Sequence, residues 1–356
     1  MKDARYPGAL MPRPRFSKTP TQKRRKFPYV SILVAAVIVA GGIFSLPLLL
    51  AADLSLADNA PIDTREFPVT VDPATKTITE NPTVEAFLVQ RPTSHLSASV
   101  SFATEAFRWL AMRIAEIPAY QQIAGAAGVP SLFVTVHPGD RQEQVAAEFG
   151  SKLGWNATQR QAFLTASKKL EPDLVQGSTV PGIYFASVSD PADVAALVHE
   201  RFDKEILSRY GTTTESYVPI ADAITIASLL QKEAGGWDDM RLISGIIWNR
   251  QFVGMKLQID ATLQYAEATN AKGSTGWWPS VEPKDKYIKS AYNTYQNAGL
   301  PPGPIANPSI AAVLAALNPK KTDCLFYFHD SNGTFHCSKT YAQHVALLKK
   351  YYGQGK

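Results

Sequence analysis

From Phe27 to Ala52 the chain runs without one Asp, Glu, Lys, Arg or His. A bilayer core of roughly 30 Å needs about 20 apolar helical residues, and this run exceeds the roughly 7–15-residue core of a cleaved signal peptide. It predicts a single transmembrane helix over 29–50, with Pro47 near its end. Residues 1–26 hold nine Lys or Arg and one acid, Asp3; Lys23-Arg24-Arg25-Lys26 abuts one end of the run, and Asp53 and Asp58 follow the other. The positive-inside rule then leaves a basic tail, 1–28, in the cytoplasm. The expected location is the cytoplasmic (inner) membrane, with the rest of the chain extracytoplasmic or periplasmic.

The same tail explains the overall charge. Of 36 basic and 31 acidic residues, 27 and 30 lie beyond residue 26, so the body sums to 27 − 30 = −3. Nucleic-acid binding asks for basic residues spread over a folded face, and no nucleic acid is expected as a partner.

Residues 51–128 read as a linker rich in Pro, Thr and Asp, with one small hairpin around Val69 to Ile78 and an amphipathic helix over 101–117. Pro118 should stop that helix. Residues 129–215 form a second unit. Phe133-Val134-Thr135-Val136 is a strand, Pro138-Gly139-Asp140 a turn, Arg141 to Leu153 a helix, and a second helix follows Asn156. A strand at Val180 to Phe185 comes next, and Asp190-Pro191 announces another helix, a cap followed by a first-turn proline. Cys324 and Cys337 flank a run of strand formers broken at Asp330-Ser331-Asn332-Gly333, which reads as a hairpin. The two cysteines face each other if the turn centres near Asp330-Ser331, and a disulfide would then form in an oxidising compartment. Zinc held with His329 and His336 is the other reading, without CxxC spacing to support it.

The third unit, 216–356, carries the chemistry. Ile220, Ile224, Ala227 and Leu230 mark a buried helix, and Glu233 falls at the edge of its apolar stripe just before Gly235-Gly236. Desolvation and the negative end of a helix dipole both disfavour a carboxylate there. An acid that keeps its proton near neutral pH is what a general acid needs. Further along, Gln258, Asp260, Tyr292, Asn293, Thr294, Tyr295 and Asn307 place amides, hydroxyls and aromatics in proline-stiffened segments beside Trp277-Trp278, as surfaces that bind sugars do.

ASLLQKEAGG, then Asn249-Arg250, LQIDATLQY, YNTYQNAGLPPGPIANP, AALNPKKTDCLFY and FHCSKTYAQH, in that order, resemble the endolytic murein transglycosylase family, also described as YceG-like. The resemblance implies an α+β fold: an N-terminal transmembrane helix, a small module similar to a peptidoglycan-binding LysM domain, and a mixed α/β catalytic domain ending in a hairpin. It also implies cleavage of the β-1,4 bond between N-acetylmuramic acid and N-acetylglucosamine, with Glu233 as acid and base and a 1,6-anhydro end as product. Substrate contacts are expected from Gln258, Asp260, Tyr292, Asn293, Thr294, Tyr295 and Asn307, with no cofactor and no metal. Peptidoglycan glycan strands and the membrane are the implied partners, with glycan polymerases as protein neighbours. Two other classes remain: a water-using muramidase employing Asp238, Asp239 or Asp260, and a silent wall-binding scaffold. Gly273 to Ser290 reads as an insert relative to the family pattern.

Overall fold

The computed structural model describes residues 32, 38, 41–58, 65–89, 98–126, 132–186, 188–274 and 276–353. Two units divide the chain, Met1–Phe44 and Ser45–Lys356. In the first, residues 41–44 are helical, with Ile43 and Phe44 exposed. The second contains everything that follows.

The expected membrane-spanning helix is corrected here. Among the described residues no helix is long and apolar enough to cross a membrane. Residues 29–31, 33–37 and 39–40 of the span, and the whole basic tail, lie outside the described residues. The helix that covers the end of the span, α1 (Leu46–Asp58), has 13 residues, about 20 Å at 1.5 Å per residue. It takes Asp53 and Asp58 into the same rod and packs Leu50 and Ala51 into a protein core. The single-pass membrane placement that rested on that span is withdrawn with it.

After α1 come a two-stranded ribbon, β1 (Val71–Asp72) and β2 (Thr77–Ile78), and helix α2 (Pro82–Val89). The ribbon pairs Val71 with Ile78, inside the segment where a hairpin was expected. This region is more than a spacer, because Phe67, Val71, Ile78, Val84 and Leu88 enter the main core of the third unit. Thr70 N–H donates to the Leu317 carbonyl at 3.0 Å, and Arg241 grips the Glu85 carboxylate with two hydrogen bonds of 2.8 and 2.5 Å.

Helices α3 (Ala98–Ala115) and α4 (Pro118–Ala126) follow. Ala111, Ile114 and Ala115 of α3 meet Leu50 of α1, Tyr120 and Ala124 of α4, and Phe133. The amphipathic helix is thus a packing element. Pro118 begins α4, since a first-turn proline gives up no helical hydrogen bond.

The next unit has the β–α–α–β order read from the sequence: β3 (Phe133–Val136), α5 (Gln142–Leu153), α6 (Ala157–Leu170) and β4 (Gly182–Phe185), followed by α7 (Pro191–Glu205). The strands pair antiparallel from Phe133↔Phe185 to Val136↔Gly182. Local chemistry sets the boundaries. Gly154 takes the left-handed conformation at φ 69° behind α5, the Asn156 side chain accepts from Gln159 N–H, and Asp190 caps α7 by accepting from Ala192 N–H. Phe149, Trp155, Phe163 and Tyr184 fill the interior with Val134, Val194 and Val198.

The remainder is helix-rich: α8 (Thr212–Tyr217), α9 (Ile220–Glu233), α10 (Trp237–Phe252), α11 (Asp260–Asn270), α12 (Ile310–Leu317), the hairpin β5 (Phe326–His329) and β6 (Phe335–Ser338), and α13 (Tyr341–Tyr352). Every residue of α9 from Ala223 to Leu230 is buried. Ile224, Leu229 and Leu230 share one core with Ile243 and Ile247 of α10 and Val313 and Leu317 of α12. The hairpin turn centres later than expected: Asp330 N–H donates to Thr334 O, and Gly333 occupies φ 78°. Tyr327 therefore stands opposite Cys337. Cys324, just ahead of β5, still reaches Cys337, with Cα atoms 5.8 Å apart, and the two form a disulfide.

That disulfide closes a short loop around the hairpin and should stabilise the fold by about 3 kcal/mol through the unfolded chain. Replacing both cysteines with Ser is expected to lower the denaturant midpoint accordingly, as measured by urea unfolding at unchanged slope.

Candidate active site

Helix α9 ends on Glu233 because Ala234 turns to extended backbone, φ −89° and ψ 140°, ahead of two glycines. The carboxyl emerges from the last turn of a buried helix between two other elements. The Tyr327 hydroxyl of β5 donates to Glu233 Oε2 at 2.8 Å. The Ala261 amide, in the first turn of α11, also favours the charged carboxyl. Asp260, at the exposed start of α11, accepts from the Tyr295 hydroxyl at 2.6 Å. His329 lies two residues beyond Tyr327, on the same face of β5, with Nε2 3.1 Å from Asp239 Oδ2. Buried Arg250, in the last turn of α10, completes the group.

Burial pushes the Glu233 carboxyl above the ordinary carboxylate range. The Tyr327 hydrogen bond opposes that, the Asp260 charge adds to it, and the Ala261 amide and His329 pull it back. Burial and the Glu233 carboxylate likewise raise the Tyr327 hydroxyl, which stays a donor. Tyr295 is raised too, by burial and by its bond to Asp260. The result is a half-buried acid with one oxygen fixed by Tyr327 and a proton held to higher pH than usual. Such a group can donate a proton to a leaving oxygen and afterwards accept one.

Several residues expected to touch substrate have other work. Asn293 is fully buried; its Nδ2 donates to the carbonyls of Lys286 and Ile288, and its Oδ1 accepts from Tyr295 N–H. Buried Thr294 accepts Ile259 N–H at 2.9 Å and lies 2.9 Å from the Thr262 hydroxyl, which anchors the start of α11. Asn307 is a staple to the β–α–α–β unit: Oδ1 accepts from Thr179 N–H, and Nδ2 donates to Asp140 O and Gln142 Oε1. Tyr292 packs on Tyr265 with ring centres 4.5 Å apart. Gln258 is exposed beside the cluster in the left-handed region, φ 49°, a conformation a non-glycine residue holds only when its surroundings impose it.

Trp277 and Trp278 serve the same junction. Arg141 sits 4.8 Å from the Trp277 ring and 4.2 Å from that of Tyr265, and Lys232 Nζ lies 3.8 Å from the centre of Trp278. Trp278 Nε1 donates to Gln144 at 3.2 Å. The insert thus bridges the β–α–α–β unit to the residue preceding Glu233.

Sequence reasoning gave Tyr327, His329 and Arg250 no role at the site. Arg250 stood in the Asn249-Arg250 motif and Tyr327 between the two cysteines, but only the hairpin register reveals that Tyr327 points at α9. Among the described residues no group of three or more His, Cys, Asp or Glu side chains converges as a metal site would. A concavity of about 680 Å³ along α6 and another of about 440 Å³ between the ribbon and α8 share no residue with the Glu233 cluster. Perturbed ionisable groups held in mutual contact are the stronger marker of chemistry, so the cluster is the candidate site.

A family model described as YceG-like matches residues 111–350, about two thirds of the chain. The chain belongs to the YceG-like family. Among YceG-like relatives, it is 29% identical over 249 residues to the endolytic murein transglycosylase of Bacillus subtilis strain 168, covering 64% of this chain and 67% of that protein. It is 32% identical over 162 residues to the endolytic murein transglycosylase of Streptococcus pneumoniae D39, covering 44% of this chain and 28% of that protein. A crystal structure of a YceG-like protein from Listeria monocytogenes shares the fold, with TM-score 0.53 and 22% identity over 64% of this chain and 80% of that one.

Tyr327→Phe removes a donor that favours the charged form of Glu233, so the Glu233 pKa rises further. If activity requires the protonated acid, its decline at high pH should begin at a higher pH in the variant, as read from a pH–rate profile of kcat/KM. Asp260→Asn removes a charge that raises the Glu233 pKa and should move the same decline to lower pH.

Proposed function

We propose that this YceG-like chain is a lytic transglycosylase of peptidoglycan. It cleaves the β-1,4 bond between N-acetylmuramic acid and N-acetylglucosamine within glycan strands and leaves a 1,6-anhydro end. The observation that carries this reading is the half-buried Glu233 carboxyl, raised in pKa and held at Oε2 by Tyr327. The names of the bacillar and streptococcal relatives support the reaction class.

Glu233 protonates the glycosidic oxygen, and the bond from that oxygen to the muramoyl C1 breaks. The sugar carries the developing positive charge while Glu233 becomes a carboxylate. That carboxylate then removes the proton of the muramoyl 6-hydroxyl as its oxygen closes on C1. One carboxyl acts twice, so the second carboxylate of an ordinary glycosidase is unnecessary. Asp260 is held by the Tyr295 hydroxyl, and in this reading the pair orients the sugar's N-acetyl group with the exposed Gln258 amide. Asn293, Thr294 and Asn307 act by holding the framework, and Tyr292 packs within it. The β–α–α–β unit serves as a LysM-like module that holds the glycan beside the acid.

Incubating the protein with purified peptidoglycan and analysing fragments by mass spectrometry should give anhydromuramoyl ends. Glu233→Gln should reduce them by about 10²–10⁴-fold, the usual contribution of general acid–base catalysis. Reducing ends in their place would assign the chain to the hydrolases.

The same residue makes a stability prediction with a fixed sign. The folded pKa of Glu233 is raised, so as pH increases the unfolded chain ionises first and wild-type stability falls until the folded value is passed. Glu233→Gln carries no such penalty. Thermal melts should show the variant at least as stable as wild type at about pH 7, with the difference vanishing near pH 4, around the unperturbed carboxyl value.

A further inference from the structure

Glu233 depends on two donors that come from segments distant in sequence, Tyr327 on β5 and the Ala261 amide on α11. One buried side chain touches the chain just ahead of both. Arg250, 6% exposed, donates from Nε to the Leu325 carbonyl at 2.6 Å, two residues before Tyr327. Its Nη1 donates to the Leu257 carbonyl, four residues before Ala261. Its guanidinium carbon lies 5.6 Å from the Phe326 ring centre. Neighbouring Asn249 reinforces the same edge, donating to the carbonyls of Thr322 and Cys324 at 2.7 and 3.2 Å.

A planar guanidinium with donors in a fixed fork suits this task, because it sets the angle between two acceptors as well as their distance. A lysine ammonium would keep the charge and lose that geometry. Arg250 is also near enough to Glu233, Tyr327 and Tyr295 to interact with them electrostatically. The other titratable groups facing the carboxyl are Asp260 on α11 and His329 on β5, the latter bound to Asp239 on α10.

We propose that Arg250 is a positioning residue for Glu233: its fork fixes the β5 segment and the chain leading into α11, so that the Tyr327 hydroxyl and the Ala261 amide are held near the carboxyl, and its charge interacts with the carboxylate formed when the proton leaves. This rests on the reading of Glu233 as the acid. Arg250 makes no substrate contact in this scheme, so its effect belongs in kcat.

The test compares Arg250→Lys, Arg250→Met and Glu233→Gln in the full chain, using soluble uncrosslinked glycan strands as substrate and scaling rates to the folded fraction. Arg250→Lys should lower kcat about tenfold or more, since small misplacements in a catalytic group are costly. Its KM should stay within about twofold, and its high-pH decline should move upward less than that of Arg250→Met, because the two donors loosen while the positive charge is kept. Arg250→Met should lower kcat further and shift that decline to higher pH, because a cation that favoured the Glu233 carboxylate is gone. Wild-type kcat per folded molecule in Arg250→Lys overturns the proposal, and so does an unmoved decline in a folded Arg250→Met. If the Met variant does not fold, the Lys variant decides alone by its kcat. An active Glu233→Gln overturns the reading of Glu233 itself; an inactive one, beside Arg250 variants of normal kcat and pH profile, overturns the Arg250 proposal and leaves that reading standing.

Discussion

The 2.8 Å hydrogen bond from Tyr327 to Glu233 is the contact on which the rest of the site depends. A carboxyl at the end of a buried helix faces two unequal outcomes. Without any donor it stays neutral over so wide a pH range that it cannot cycle, and with several donors it becomes a permanent carboxylate. Here burial is opposed by one tyrosine and one backbone amide. The balance leaves the group raised in pKa and still able to ionise, which a residue acting first as acid and then as base requires. Each donor arrives on a separate element, so the carboxyl has this environment only when α9, α11 and the hairpin are all in place.

This explains why the elements around Glu233 are so heavily braced. The disulfide joins Cys324 to the residue paired across from Tyr327. Thr294 and Thr262 tie the start of α11 to the segment 293–295. The main core receives Phe67, Val71, Ile78, Val84 and Leu88 from a stretch that composition alone reads as a linker. Pro, Thr and Asp content signals low helical or strand periodicity, but five apolar side chains spaced irregularly can still enter a core that α9 and α12 have already formed. Composition therefore described the local backbone of that stretch and missed its tertiary role.

The sequence was most informative where chemistry repeats locally. The stripe of α9, the cap and proline at Asp190-Pro191, and the β–α–α–β order all appear as read, because each depends on residues only a few positions apart. Glu233 became a candidate the same way, from its position beside Leu229 and Leu230, while its expected role rests on the family resemblance. The site's other members were hidden because they are set by register. A turn centred slightly later than expected decides which hairpin residue faces α9, and its local signal is Asn332-Gly333, with Gly333 at φ 78°, rather than Asp330-Ser331. Asn293, Thr294 and Asn307 show a second use of such residues. Amides and hydroxyls in proline-rich segments look like sugar contacts, yet irregular backbone leaves N–H and C=O groups that need partners, and these side chains supply them.

The apolar run near the N-terminus shows how far a compositional rule extends. Hydrophobic length alone admits both a bilayer span and a packed helix, and the rules that separate them use flanking charge. In the described part of this run the deciding facts are tertiary: α1 continues through Asp53 to Asp58, and Leu50 is buried against α3 and α4. The side of α1 that carries Leu50 and Ala51 is covered by neighbouring helices, while Leu48, Leu49 and Leu56 are exposed. The basic residues ahead of it carry the chain's positive charge, and a charge asymmetry orients a chain only through a span, which no helix among the described residues is long and apolar enough to form.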